Sequence, residues 1–333
     1  MFTTTGRNLR ASVIVMLLIV FSTSLFAAGR TAFPVAKTLM TPRSLALAGA
    51  AIADQTWAGG AGLNPASGVN GERQAGFSYA RHSLDLWSGQ LSASFPIPDN
   101  RYILTSGFYL STFNFGELEK SERDLGLTGE TFTAAEYVFA GYMSGAVNDI
   151  VTWGLSLKYL YGELDEESAS GGAVDIGVTW DTGWHNIRLG AVGRNLGKQF
   201  SGYGSEEDPI PSELMIGGCR TLDHMPMTLH IAAIFAATGE EDWTVEELKG
   251  NPGFGFSAGS EFSINAEGLN KPVFVRLGYH SRGTGMQTGQ SLDAIAGLTF
   301  GLGLNMGAFD FDYTYAPLGA LGDVHRFGII GTY

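Results

Sequence analysis

The chain has 333 residues, which is enough for one large domain or two of average size. Apolar residues make up 44% of it and charged residues only 16%, so the chain is too apolar for a disordered protein and under-charged for a typical soluble surface. The formal net charge of −13 argues against nucleic acid as a partner.

Residues 1–29 have the organisation of a secretory signal peptide. Arg7 and Arg10 give a positive start, residues 13–21 form an apolar run, and small residues come after it. We expect cleavage after Gly29, with Ala27 as the alternative position. A membrane anchor is the competing interpretation, but the run is short for a span of about 20 residues. No second run of about 18 apolar residues occurs, so we expect no transmembrane helix in the mature chain.

Residues 30–73 are rich in alanine and glycine and show no clear period of two. We interpret them as a compact N-terminal segment, part helix and part loop, that acts as a partial plug. From residue 74 to 333, apolar side chains alternate with small or polar ones. Leu157 and Tyr159 flank Lys158, for example, and Ile176 comes after Asp175. Such alternation predicts strands with one apolar face.

The alternating pattern forms about fourteen segments, most of them close to the roughly 9–11 residues that a tilted strand needs to cross a bilayer. Short connections alternate with long polar ones, which is typical of outer-membrane barrels. We therefore predict an all-β transmembrane barrel of about fourteen antiparallel strands over residues 74–333. A soluble β-sandwich is the alternative, but it rarely needs so many strands. The predicted strands lie near 74–81, 86–95, 101–113, 133–144, 150–162, 171–181, 185–195, 212–220, 226–236, 253–263, 271–281, 292–300, 303–316 and 323–333.

The last strand ends on an aromatic residue. Phe327, Ile329 and Tyr333 share the apolar face of this strand. The pattern resembles the C-terminal signal by which the barrel-assembly machinery recognises its substrates. That resemblance implies insertion into the outer membrane of a Gram-negative-type bacterium, among its lipid and lipopolysaccharide.

The predicted lumenal face carries charges of both signs. We expect them to form a network of ion pairs that fills the barrel, because buried charges need partners. A conduction path lined by charge is the alternative. The set comprises Lys158, Asp175, Arg188, Arg194, Arg276, Arg282, Asp310 and Asp312.

Two regions resemble a known family. The stretch TPRSLALAGAAIAD…GAGLNPASG, residues 41–68, resembles the N-terminal motif of the FadL-like superfamily, in particular its PorV/PorQ branch. The stretch at residues 193–232, which includes the Arg194–Gly197 turn, is similar to PorQ. The matching motif residues are Arg43, Gly49, Asp54, Asn64, Pro65 and Ala66.

The resemblance implies a non-enzymatic barrel of type IX protein secretion that docks a surface partner and helps to attach or retain secreted cargo. PorZ-like and PorU-like components are the implied partners. The acidic loop residues Glu206, Glu207 and Asp208, together with Trp243, are candidate docking sites, because exposed aromatic residues often anchor interfaces. The alternative function is a FadL-like outer-membrane transporter of hydrophobic compounds, which would need an apolar pocket inside the barrel.

No pattern predicts catalysis, a cofactor or a metal site. Residues 255–259, GFSAG, fit the nucleophile-elbow motif, but they lie in an alternating stretch rather than at a strand-to-helix turn. The six histidines are scattered and none is paired at ligand spacing. Cys219 is the only cysteine, so no internal disulfide can form, and we expect its thiol to be buried and inert.

Overall fold

The computed structural model describes residues 31–55, 58–69, 72–83, 85–100, 102–122, 126–204, 207–236, 254–265, 272–281, 295, 297–317 and 322–333. Fourteen antiparallel strands form a closed barrel in which each strand pairs with its sequence neighbours and β1 pairs with β14, as predicted. The strands are Gln74–Arg81 (β1), Trp87–Pro96 (β2), Thr105–Glu122 (β3), Gly126–Asn148 (β4), Val151–Leu164 (β5), Glu167–Asp181 (β6), Ile187–Ser201 (β7), Glu213–Thr221 (β8), Met227–Ala236 (β9), Phe254–Asn265 (β10), Pro272–His280 (β11), Leu298–Asn305 (β12), Phe309–Pro317 (β13) and Asp323–Thr332 (β14).

The alternation of the sequence becomes an inside and an outside of the barrel, because successive side chains of a strand point to opposite faces. On β5, Leu157 is 60% exposed on the outer surface, whereas the neighbouring Lys158 is buried in the lumen. Ile231 on β9 is 65% exposed and its neighbour His230 is buried. An outer apolar band over a polar interior is the arrangement of a membrane-spanning barrel.

The two ends of the barrel differ. The turns at the end that carries the C-terminus are short, such as 149–150, 182–186 and 306–308, and we call this the short-turn end. The connections at the opposite, long-loop end include 202–212, 237–253 and 281–297. Outer-membrane barrels place short turns in the periplasm and long loops outside the cell.

Five strands are longer than the sequence pattern predicts. Strands β3 to β7 run for 14–23 residues, and β3 and β4 occupy most of 116–131, a stretch whose polar composition predicts a loop. Strands β3 and β4 stay paired beyond Asn114, the last β3 residue that pairs with β2, through Trp87. The β3–β4 hairpin therefore extends beyond the end of β2 at the long-loop end. Both faces are polar there, and the period-two signal that marks a half-buried strand is therefore weak.

The predicted boundaries of β12 and β13 are also wrong. The hairpin turn lies at 306–308 rather than near residue 301. In this turn the side chain of Asn305 accepts a 3.1 Å hydrogen bond from the Gly307 N–H. The residues that fit the nucleophile-elbow motif lie within β10, so they do not form a strand-to-helix turn.

The N-terminal segment, residues 31–69 as described, lies inside the barrel. It contains one short helix, Pro42–Ala46 (α1), and 3₁₀ turns at Pro34–Lys37, Ala58–Gly62 and Pro65–Gly68. Side chains of this segment pack against the inner wall in two apolar clusters, one around Phe33 and one around Leu47. Within the described part of the chain, no helix is long and apolar enough to cross a bilayer.

Glycines of the wall allow the segment to lie this close. An added Cβ at Gly154 would lie 2.2 Å from the Ala66 nitrogen, and one at Gly177 would lie 1.9 Å from the Asn64 Oδ1. These glycines are therefore required by close approach of the segment to the wall rather than by a turn.

Candidate functional site: the barrel lumen

The family-like motif residues hold the N-terminal segment together. Gly49 follows α1 with φ +74° and donates to the Ser44 carbonyl, a left-handed conformation that favours glycine. Asn64 caps the last 3₁₀ turn by accepting from the Ala66 N–H at 3.0 Å, and its amide donates to the Ile52 carbonyl at 2.7 Å.

The motif also binds the segment to the wall. The Pro65 carbonyl accepts a 2.6 Å hydrogen bond from Ser144 of β4. Asn64 is fully buried, so its amide satisfies backbone groups that water cannot reach.

Arg43 of α1 joins the segment to the barrel through an ion cluster. Its guanidinium contacts Asp54 at 2.5 Å and donates two hydrogen bonds, of 2.8 and 2.9 Å, to Glu261 of β10. Glu261 also accepts from Arg276 of β11 at 2.6 Å, and Arg276 pairs in turn with Asp312 of β13. Five side chains thus alternate in sign, so each buried charge has a partner. We call them the Arg43 cluster.

A second group of charges lies on β5 to β8. Lys158 pairs with Asp175 at 2.6 Å and donates to Asn195 at 2.8 Å, and all three are buried. Arg194 pairs with Glu213 at 2.6 Å and donates to the Ala36 and Gly62 carbonyls of the N-terminal segment. This group therefore also ties wall to segment.

Two described residues of the predicted lumenal network lie apart from both groups. Arg188 and Asp310 are near the short-turn end, where Arg188 lies 3.5 Å from Asp181 and Asp310 accepts from Asn305 at 2.6 Å. Arg282 lies outside the described residues. The single network expected from the sequence is thus divided into separate clusters, because strand register decides which charges meet.

Four lumenal charges among the described residues were not predicted as members of this network: Glu261 and Glu213, which are the acidic partners of the lumenal arginines, Glu136, which accepts a 2.9 Å hydrogen bond from the Val35 N–H, and Arg326. Glu261 and Arg326 each directly precede an apolar residue of the outer face, Phe262 and Phe327, so the strand alternation places them on the lumenal face and this signal was available. Arg326 is buried and donates to the Met40 carbonyl at 2.7 Å and to Ser88 at 2.6 Å.

Wall threonines add two further bonds to α1. Thr314 donates to the Pro42 carbonyl at 2.7 Å and Thr299 donates to the Ala46 carbonyl at 2.9 Å. Backbone carbonyls that a short helix leaves unpaired are thus satisfied by the barrel.

His82, in the β1–β2 loop, extends the polar chain from Arg326 towards the long-loop end. Ser88 accepts from Arg326, and its oxygen lies 2.8 Å from the His82 Nε2. Burial, followed by the positive charge of Arg326, lowers the pKa of His82 to about 4. The imidazole is therefore neutral at neutral pH and can accept the Ser88 proton.

The cavities seen beside the described part of the N-terminal segment are small. One of about 30 Å³ lies next to Lys158 and Arg194, and one of about 20 Å³ lies next to Asp312. Each holds no more than one or two water molecules. A larger recess of about 460 Å³ opens at the short-turn end. Among the described residues, no group of three or more metal-ligating side chains could hold a metal ion.

The residues predicted to contact lipid or partners lie at the surface where the structure describes them. Phe327 is 56% exposed and Tyr333 is 67% exposed, and Ile329 is partly buried on the same face of β14. Glu207 and Asp208 are exposed at the long-loop end. Glu206 and Trp243 lie outside the described residues.

The barrel resembles solved hydrocarbon channels. The CymD monoaromatic hydrocarbon channel is 13% identical, the match covers 88% of this chain and 97% of CymD, and the TM-score is 0.55. The toluene transporter TodX of Pseudomonas putida is 12% identical, with 93% and 98% covered and a TM-score of 0.50. No family model and no curated protein matches the chain. The FadL-like and PorV/PorQ assignments stay predictions, and the likeness shows that the chain shares a barrel fold with these channels.

Proposed function

We propose that this protein is a non-enzymatic outer-membrane channel for small hydrophobic compounds. The observation that carries the proposal is the likeness of the whole barrel to CymD, a monoaromatic hydrocarbon channel, and to TodX, a toluene transporter, over 88% and 93% of this chain. The exposed apolar outer band and the short-turn end support placement in an outer membrane with the short turns in the periplasm.

Passage through the lumen would require the N-terminal segment to move. The cavities beside it, of about 30 and 20 Å³, are far below the roughly 300 Å³ at which small-molecule sites begin. The segment is attached largely through side chains and carbonyls, including the bonds from Thr299 and Thr314 to α1. Such bonds can exchange for water when the segment moves, because each contributes only about 0.5–1.5 kcal/mol net.

The test is uptake of radiolabelled toluene by Gram-negative cells that lack such a channel and express this protein. We expect uptake above that of vector-only cells, with no uptake of sucrose, which controls for leakage. The isosteric double variant Thr299→Val/Thr314→Val should take up toluene faster, because α1 is held less tightly. Thr131→Val, at an exposed position of β4, should behave like the parent protein.

Toluene uptake equal to the vector control, with the barrel folded and inserted, would refute the channel. Uptake that is the same in the Thr299→Val/Thr314→Val variant and its control would mean that the route does not pass the N-terminal segment.

The filled lumen favours a second candidate, a docking component of type IX secretion. Ion clusters cross the described part of the lumen, and the cavities of about 30 and 20 Å³ beside the N-terminal segment are too small for a transported compound. Residues 41–68 and 193–232 also resemble the PorV/PorQ family. In this function the long-loop end, with exposed Glu207 and Asp208, would bind a PorZ-like surface protein and a PorU-like peptidase.

An affinity pull-down from gently solubilised outer membranes, read by mass spectrometry, separates the two candidates. Co-purification of a surface β-propeller protein and a cargo-processing peptidase would support secretion. A barrel that purifies alone and transports toluene would exclude it.

A further inference from the structure

The recess at the short-turn end is built differently from the rest of the lumen. It has a volume of about 460 Å³ and lies on the inner face of β6, β7 and β8, close to their turns. This end of the barrel faces the periplasm if the membrane orientation follows the usual rule. The recess is lined by Asp181, Gly183, Asn186, Arg188, Cys219 and Thr221.

Arg188 enters this recess with its hydrogen-bond donors unused. Among the described residues its guanidinium makes no hydrogen bond, and its one ion-pair contact, to Asp181, is long at 3.5 Å. Its Nε atom is buried without a partner, as are the Nε atoms of Arg194 and Arg326, so the difference lies in the terminal nitrogens of the guanidinium. By contrast, Arg194 and Arg276 each pair with a carboxylate at 2.6 Å. A ligand that accepts from this guanidinium would satisfy a buried donor that the described residues leave unpaired.

Asp181 reaches Arg188 only through its Oδ2, at 3.5 Å. Its Oδ1 accepts a 2.9 Å hydrogen bond from the Gly183 N–H, which fixes the carboxylate within the β6–β7 turn. The Asn186 amide is also occupied, because it donates to Asp223 at 2.8 Å. The free donors of the recess are therefore mainly those of Arg188.

We propose that this recess binds a small carboxylate through Arg188, from the side that the short turns face. A guanidinium presents two parallel N–H groups that match the two oxygens of a carboxylate. Asp181 lies beside the site and repels additional negative charge, so a monoanion should bind better than a dianion such as sulfate. The volume of about 460 Å³ accommodates the carboxylate and a small organic group.

The proposal is independent of the transport function, because binding is measured on purified protein in detergent micelles without any transport. Cys219 lines the recess opposite Arg188 in the strand register, and it is the only thiol of the chain. Cys219 is only 9% exposed, as expected, so its labelling by a maleimide should be slow, and a further decrease in that rate reports occupancy of the recess. The probe is sodium acetate, with sodium chloride and sodium sulfate at equal ionic strength as controls.

Acetate should slow the labelling of Cys219 in a saturable way, by about threefold at twice its Kd. Sulfate and chloride should have little effect. Arg188→Gln should abolish the protection, whereas Arg220→Gln, an exposed arginine of the same barrel end, should retain it. Arg188 lies outside the buried ion clusters, so the variant should fold normally, which heat-modifiable migration on gels checks.

Isothermal titration calorimetry with acetate gives a second measurement if the thiol reacts too slowly. A binding heat in the parent protein that is absent from Arg188→Gln supports the site. Equal protection by sulfate, equal binding by Arg188→Gln, or no acetate binding in either measurement would overturn the proposal.

Discussion

Replacing Arg43 tests whether the ion cluster holds the N-terminal segment in the barrel. In Arg43→Met, Asp54 loses its 2.5 Å partner and Glu261 loses two hydrogen bonds, although Glu261 keeps its 2.6 Å contact with Arg276. Removing one partner of a buried ion pair costs about 3–5 kcal/mol. Because Arg276 still compensates Glu261, we expect the lower end, about 3 kcal/mol, which is roughly a 150-fold change in the unfolding equilibrium constant.

The assay is urea unfolding of the barrel in detergent micelles, followed by tryptophan fluorescence. Limited proteolysis gives a local readout, because the N-terminal segment should be cut faster in Arg43→Met than in the parent protein. The matched control is Arg81→Met. Arg81 pairs with Asp85 at 3.2 Å, but the side chains are 72% and 90% exposed, so the loss should be below about 1 kcal/mol. Equal stability of the two variants, or an Arg43→Met barrel as stable as the parent, would refute the structural role of the cluster.

Three further predictions concern packing and charge. Gly154→Ala should destabilise the barrel by about 1–3 kcal/mol, because the added Cβ would lie 2.2 Å from the backbone of the N-terminal segment. Gly141→Ala is the control, because its added Cβ meets nothing within 4 Å, and the urea unfolding midpoints of the two variants are compared. Leu157→Arg places a charge on the outer band and should cost about 2–4 kcal/mol in lipid vesicles, and a neutral result would reverse our inside–outside assignment. Lys158→Met should cost about 3–5 kcal/mol by leaving the Asp175 charge without its cation. The double variant with Asp175→Asn, which is neutral and keeps an acceptor for the Asn195 N–H, should recover most of that loss, and a double variant no better than the single one would contradict the pairing.

The sequence by itself determined the barrel. A period of two over segments long enough to span a bilayer permits little else, and the same period places Lys158 and Asp175 inside and Leu157 outside. The strand extensions of β3 and β4 were missed because both of their faces are polar there, and the alternation that marks a half-buried strand is then absent. The turn between β12 and β13 was misplaced because Gly301 and Gly303 resemble turn residues, whereas they are small to make room for Ala46 and Arg276.

Only the tertiary structure decided which charges meet. Arg43 and Glu261 are 218 residues apart in sequence, and they become partners because the N-terminal segment packs against the inner face of β10. The same register leaves Arg188 facing an open recess while Arg194, six residues later on the same strand, is paired and buried. Periodicity fixes the face on which a side chain lies, but partners are chosen by strand register and by the path of the chain inside the barrel, and these depend on contacts between residues far apart in sequence.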